Sequence, residues 1–152
     1  LENTDKSLGK DHSQYGVFLN NLAELYTAMG AYNKALPLYL EALENTNKSL
    51  GKGHSEYGSR LNNLANSYTT SGAYDKALPL FIESLKNTEK SLGKNHSNYG
   101  ICLSNLANLY RSMGALDKAL PLYLEAQENI EKSLGKDHSS YGTSLNNLAG
   151  LY

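Results

Sequence analysis

The sequence predicts an all-α solenoid built from antiparallel helix pairs, and three observations predict it. One 42-residue pattern runs through the chain: "SLGK" begins at 7, 49, 91 and 133, His stands at 12, 54, 96 and 138, Tyr-Gly at 15, 57, 99 and 141, and "KALPL" at 34, 76 and 118. Residues 8–49 and 92–133 are identical at 29 of 42 positions. Within each period the apolar residues recur at helical spacing rather than alternating. Each pair of helices then carries more apolar face than it can bury alone, so neighbouring pairs must stack into one elongated core.

The first helix of the unit is expected from Ser13 to Met29. Leu19, Leu22, Ala23 and Tyr26 fall at i, i+3, i+4 and i+7, on one face. Ser13 and its equivalents are expected to cap the free amides, and Gly30 to end the helix in the left-handed conformation. The second helix is expected from about Ala31 to Ser49, with Ala35, Leu36, Tyr39, Ala42 and Leu43 as its buried stripe. Pro37, Pro79 and Pro121 lie about two turns inside it; the apolar pattern continues past each, which predicts a bend and not a break. Leu50 and Gly51 close the helix, with Lys48 in the last turn, where a cation suits the dipole.

The organisation is a single repeat domain over 1–152, with units at about 8–49, 50–91 and 92–133 and partial units at 1–7 and 134–152. The chain starts in mid-pattern at Leu1, so it reads as a fragment of a longer array. Leu145, Leu148, Ala149 and Tyr152 form an apolar face with no second helix behind it. Leu1 to Leu8 read as the tail of a preceding second helix.

Composition removes several function classes. Fourteen Lys and Arg stand against fifteen Asp and Glu, a net charge of −1, with no basic run; nucleic-acid binding is not expected, because it needs a local cationic surplus. No stretch of eighteen apolar residues is present, so no membrane span is expected. Cys102 is the only cysteine and reads as a small semi-buried apolar residue. Asn47-Lys-Ser and Asn95-His-Ser match the glycosylation pattern by chance, and a cytoplasmic location is the expectation. The four histidines read as loop residues that cap or pack: adjacent repeats stand roughly 10 Å apart and zinc–nitrogen bonds are about 2 Å, so one ion cannot join two of them. "SLGK" lacks the glycine spacing of a phosphate loop, and no catalytic constellation stands out. Neither catalysis nor a cofactor is expected.

"LNNLAELYTAMGAYNKALPLYLEAL" at 19–43 resembles a tetratricopeptide repeat, with Ala23, Tyr26, Gly30, Tyr32, Ala35, Tyr39 and Ala42 carrying the match. The 42-residue period and "SLGKDH…LNNLA…LY" resemble the longer repeats of kinesin light chains and related proteins. The resemblance covers essentially the whole chain. It implies a right-handed superhelix whose first helices line a concave groove that holds peptides. It also implies that Asn21, Asn63, Asn105 and Asn147 contact a peptide backbone, with Asn20, Asn62, Ser104 and Asn146 beside them. Ser13, Ser55, Ser97 and Ser139 stand where the family often has proline. The basic residues that grip a C-terminal carboxylate in chaperone-binding members are absent.

The helical wheel points to the same face. With the core centred between Leu22 and Tyr26, Val17, Asn20, Asn21, Glu24 and Ala28 fall on the opposite side. The later equivalents include Asn62, Asn63 and Asn66, then Ser104, Asn105 and Asn108 with Arg111 nearby, then Asn146 and Asn147. This face is polar and almost uncharged. Asparagine is an indifferent helix former, but its amide donates and accepts at once, as a peptide backbone does. Two readings stand side by side: the asparagines hold an extended peptide, or they bridge adjacent first helices and set the stacking register. The function expected is a protein-interaction scaffold for a protein or peptide ligand. The alternatives are a structural array, self-associating head to tail through its end repeats, and a sensor module of a larger multidomain protein.

Overall fold

The structure, a computed structural model, describes residues 9, 10 and 12–152; the expected partial unit at 1–7 and the tail Leu1–Leu8 lie outside them. Among the described residues there are seven helices: α1 (Ser13–Ala28), α2 (Tyr32–Leu50), α3 (Ser55–Thr70), α4 (Tyr74–Ser91), α5 (Ser97–Ser112), α6 (Leu116–Leu134) and α7 (Ser139–Ala149). α1 packs on α2, α3 on α4 and α5 on α6, and each even helix also packs on the odd helix that follows. Successive odd helices touch one another, whereas successive even helices do not. The odd helices therefore lie on the shorter, inner side of the curve. The fold is an α-solenoid of helix pairs, as the 42-residue period predicts.

The core is a series of junction clusters rather than one centre. Ala23, Ala35 and Tyr39 of the first pair close around Leu64 of α3. Ala65, Ala77 and Phe81 of the second pair close around Leu106 and Leu109 of α5. Ala107, Ala119 and Tyr123 meet Leu148 and Leu151 near α7. Small alanines let the helices approach, and one large ring per junction fills the remaining space. Of the expected stripes, Leu19, Ala23, Ala35, Tyr39 and Ala42 are buried, and Leu22, Tyr26, Leu36 and Leu43 are half-buried. Leu25 is exposed on α1, while its equivalents Ser67 and Leu109 are buried against the preceding pair. At the other end Leu145 and Tyr152 are exposed.

The caps correct one expectation. The N-cap residues are His12, His54, His96 and His138, not the serines after them. In each, Nδ1 accepts from the backbone N–H two residues on, at 3.1–3.2 Å. Nδ1 stands as far along the side chain as the Oδ1 of Asp or Asn, so it reaches the same orphan amide that those residues cap. The odd helices α1, α3 and α5 end as expected, in a left-handed glycine. Gly30 has φ +72°, Ala31 N–H reaches back to Tyr26 O at 2.8 Å, and Gly30 N–H to Thr27 O at 2.9 Å, the paired bonds of a Schellman ending. The even helices run unbroken through Pro37, Pro79 and Pro121.

A second glycine explains the recurrent Tyr-Gly. Gly16, Gly58 and Gly100 sit where each odd helix crosses its partner, and an asparagine of the even helix fills the space a side chain would take. A Cβ at Gly16 would stand 2.5 Å from Asn45 Oδ1, and one at Gly58 2.9 Å from Asn87 Cγ. From that position Asn87 Nδ2 donates to Lys52 O at 2.7 Å and to His54 O at 3.2 Å. Asn45 donates likewise to Lys10 O and His12 O, and Asn129 to Lys94 O. Gly100 N–H, at the first turn of α5, donates to Asn129 Oδ1 at 3.1 Å. The asparagine thus ties the "GK-x-H" loop to the even helix of its own unit. At Gly142 a Cβ would meet nothing within 4 Å.

Candidate functional site

The inner surface is made by the odd helices, and their asparagines form a ladder along it. Asn63 Nδ2 donates to Asn20 Oδ1 at 3.2 Å and to Glu24 Oε1 at 3.0 Å. Asn20 Nδ2 donates to the same Glu24 oxygen at 2.8 Å. One repeat on, Asn105 Nδ2 donates to Asn62 Oδ1 at 3.2 Å. The first asparagine of each "NN" pair is therefore the acceptor in the junction: Asn20 is 2% and Asn62 9% exposed. Both lie deeper than the helical wheel placed them, because that wheel took only the partner helix as core and left out the odd helix of the next unit. The second asparagines stand higher: Asn21 is exposed, and Asn63, Asn105 and Asn147 are half-buried. The amides are spent differently along the row. Both Asn63 hydrogens are used, Asn105 keeps one, and neither Oδ1 has a partner among the described residues.

The ladder stops at the third junction. Ser104 replaces the asparagine there, and Asn147 makes no matching bond among the described residues. Asn146 is exposed on the short helix α7. Asn66 is half-buried, while Asn108 accepts a short bond from the Tyr123 hydroxyl. Arg111, exposed at the end of α5, reaches α7; a Cβ at Gly150 would stand 3.1 Å from its Nη1. The structure thus joins Asn20, Glu24 and Asn63 in one cluster and Asn62 with Asn105 in a second, and sets Asn105, Asn108 and Asn147 around a crevice between α5 and α7. Asn21, Asn66 and Asn146 stand apart from these groups.

The charge on this surface is sparse and polarised, with Glu24 towards α1 and Arg111 towards α7. Tyr39, beside the first cluster, has its hydroxyl pushed above the ordinary phenol range by burial, eased by a bond with Thr27 and reinforced by Glu24. Tyr123 is raised by burial, with Arg111 opposing. Both stay neutral hydrogen-bonding groups at physiological pH.

The opposite side carries three equivalent crevices, the largest about 380 Å³ and lined by Lys94, Tyr99, Glu125, Glu128, Asn129 and Lys132. In this one Lys132 pairs with Glu128 at 2.5 Å and Lys94 with Glu89 at 3.5 Å, whereas the crevice lined by Lys52, Glu83, Lys86 and Lys90 has a cationic surplus. Among the described residues no group of three or more His, Cys, Asp and Glu stands together, and no helix is long and apolar enough to cross a membrane.

Sequence reasoning passed over two sets of residues. The stapling Asn45, Asn87 and Asn129 recur 29 residues after their glycines, a spacing that pairs them. Lys34, Lys76 and Lys118 lie 5.6–5.8 Å from the ring centres of Tyr26, Tyr68 and Tyr110, a cation–π distance. Cys102 is buried, with its sulfur 3.5 Å from Thr88 Oγ1.

Comparison with known proteins places this architecture. The tetratricopeptide repeat model matches residues 14–88, 58–129 and 101–152. Among solved structures, a candidate kinesin light chain from Podosopora anserina with nearly identical TPR-like repeats superposes with a TM-score of 0.82 at 23% identity, over 93% of this chain and 67% of that one. A single-residue variant of that protein gives 0.77 at 24%, over 99% and 71%. BtubC (BKLC) from P. vanneervenii gives 0.76 at 21%, over 90% of this chain and 55% of that one. None of the curated proteins compared with the chain matches it. At these identities the structural likeness speaks for the fold alone. Tetratricopeptide repeats are generally protein-interaction scaffolds and typically non-enzymatic. The repeat matches leave only the first residues outside, and the chain belongs to the tetratricopeptide repeat family.

Proposed function

We propose that the chain is a non-catalytic scaffold that holds an extended peptide segment against the inner surface of its odd helices. The observation that carries this reading is the division of labour within the asparagine pairs. Asn20 and Asn62 are buried and spent on register, whereas Asn63 and Asn105, half-buried above them, keep Oδ1 atoms without a partner among the described residues. A row of carbonyl acceptors at repeat spacing suits the N–H groups of an extended backbone. Fixing those amides by the ladder lowers the entropy cost of binding. The Glu24 and Arg111 ends favour a peptide whose cationic end lies towards α1 and whose anionic end lies towards α7.

The test is a screen of a diverse peptide library against the protein and against a variant with Asn21→Ala, Asn63→Ala and Asn105→Ala. The hits from the unaltered protein should bind the variant at least about tenfold more weakly, with helicity by circular dichroism unchanged. Equal affinity in both proteins would remove the groove reading. A large fall in melting temperature with no binder found for either protein would leave the asparagines as register bonds only.

A further inference from the structure

We infer that the crevice between α5 and α7 is a subsite for a neutral amide side chain, glutamine or asparagine, of a bound peptide; the assignment rests on the groove reading above and gives it a sequence preference. The crevice measures about 250 Å³, against about 140 Å³ for its counterpart between α3 and α5. Three serines line it, and two of them are buried, Ser104 at 8% and Ser144 at 1% exposure. Neither Ser104 nor Ser144 Oγ has a hydrogen-bond partner among the described residues. A buried hydroxyl without a partner costs free energy, so a ligand that supplies one recovers it.

The pocket exists because the third junction departs from the repeat at a few equivalent positions. Ser104 stands where Asn20 and Asn62 stand, and the shorter side chain both opens the space and interrupts the ladder. Ser144 stands where Cys102 stands. In the second junction Thr88 and Ser84 meet the Cys102 sulfur at 3.5 and 3.7 Å. In the third those two positions are Ile130 and Ala126, which offer Ser144 no polar atom. The same repeat position thus carries a smaller crevice at the second junction and a larger one at the third.

The lining selects the ligand. No charged side chain faces the crevice, so a carboxylate or ammonium would be desolvated without a counter-charge. A hydrocarbon side chain would fill the space against Ile101 and Ile130 but leave both hydroxyls unpaired. A carboxamide offers one acceptor and two hydrogens, and hydroxyls accept either role. Asn105 and Asn147 at the rim add further amide partners.

The probe is N-acetyl-glutamine methylamide, titrated into the ¹⁵N-labelled protein and followed by amide chemical shifts, beside the leucine and glutamate analogues. Saturable shifts confined to Ser104, Ser144 and their neighbours are expected at about 10 mM or below, with the other two analogues at least about tenfold weaker. The variant Ser104→Asn, Ile130→Thr, Ser144→Cys installs residues that already stand at the second junction. It should stay folded and lose the shifts. No saturable shift at that concentration, equal binding of the leucine analogue, or unchanged binding in the variant would overturn the subsite. The groove reading fails separately: peptides from the library that bind the Ser104→Asn, Ile130→Thr, Ser144→Cys variant as well as the unaltered protein, with no glutamine or asparagine preference, sink the subsite alone. A lack of any peptide binding to the unaltered protein sinks the groove and, with it, the peptide side of this assignment.

Discussion

Gly58 and Gly142 occupy the same place in the repeat, and only one of them has a task in this structure. At Gly58 the crossing with α4 is so close that Asn87 fills the volume of a side chain and ties down the preceding loop. At Gly142 the same backbone faces open space. The difference teaches that a repeat position has no meaning by itself: its energy comes from the neighbour stacked on it, as a nearest-neighbour solenoid requires. The same holds for Leu25, exposed on α1, against Leu109, fully buried on α5.

The largest expected effect sharpens that contrast directly. Gly58→Ala should destabilise by about 2 kcal/mol, since overpacking of 1–3 kcal/mol and a displaced Asn87 staple outweigh the helix-propensity gain of about 1 kcal/mol. Gly142→Ala keeps only the gain and should be neutral to about 1 kcal/mol stabilising. Thermal melts of the two variants decide it; equal melting temperatures would break the comparison.

The caps come next. His54→Ala removes the bond to the Glu56 amide at the start of an interior helix, and should cost about 1 kcal/mol. His138→Ala removes the equivalent bond in α7, which packs on fewer neighbours, so its loss should appear as local fraying. Hydrogen exchange separates the two: protection should fall across α3 and α5 in the first variant and only within α7 in the second. His54→Asn should restore stability, because the Asn oxygen reaches the same amide.

The smallest effect is alkaline. Tyr57 and Tyr99 have hydroxyls raised above the ordinary phenol range, first by burial and then by carboxylates, with Glu83 and Glu44 beside Tyr57 and Glu125 beside Tyr99. The phenol is neutral when protonated, so the unfolded chain gives up its proton first. These tyrosines therefore contribute fully below about pH 10 and lose their contribution as pH rises through the folded values. The melting temperature should decline above about pH 10, and Tyr57→Phe should make that decline shallower.

The period, the helix pairs and the buried stripes were legible in the sequence, because each is a local pattern of apolar spacing and turn residues. Gly30 could be read as a left-handed ending since only its own φ is at stake. The capping histidines were harder, because the serine beside each is the commoner cap and only geometry shows which atom reaches the amide. The asparagine faces were visible as a row. Their division into register bonds and open acceptors was not, since it depends on contacts across 43 residues, as between Asn63 and Asn20.

What the sequence determined alone is the architecture: a 42-residue unit of two amphipathic helices has no stable solution except stacking, whatever its neighbours contain. What only the tertiary structure decided is which polar groups are satisfied. Asn62 finds Asn105, Cys102 finds Thr88, and Ser104 and Ser144 find no partner among the described residues. Hydrogen bonds depend on tenths of an ångström and on angles set by the packing of three helices at once. A few substitutions in a near-identical repeat leave the fold untouched while turning one junction into a pocket.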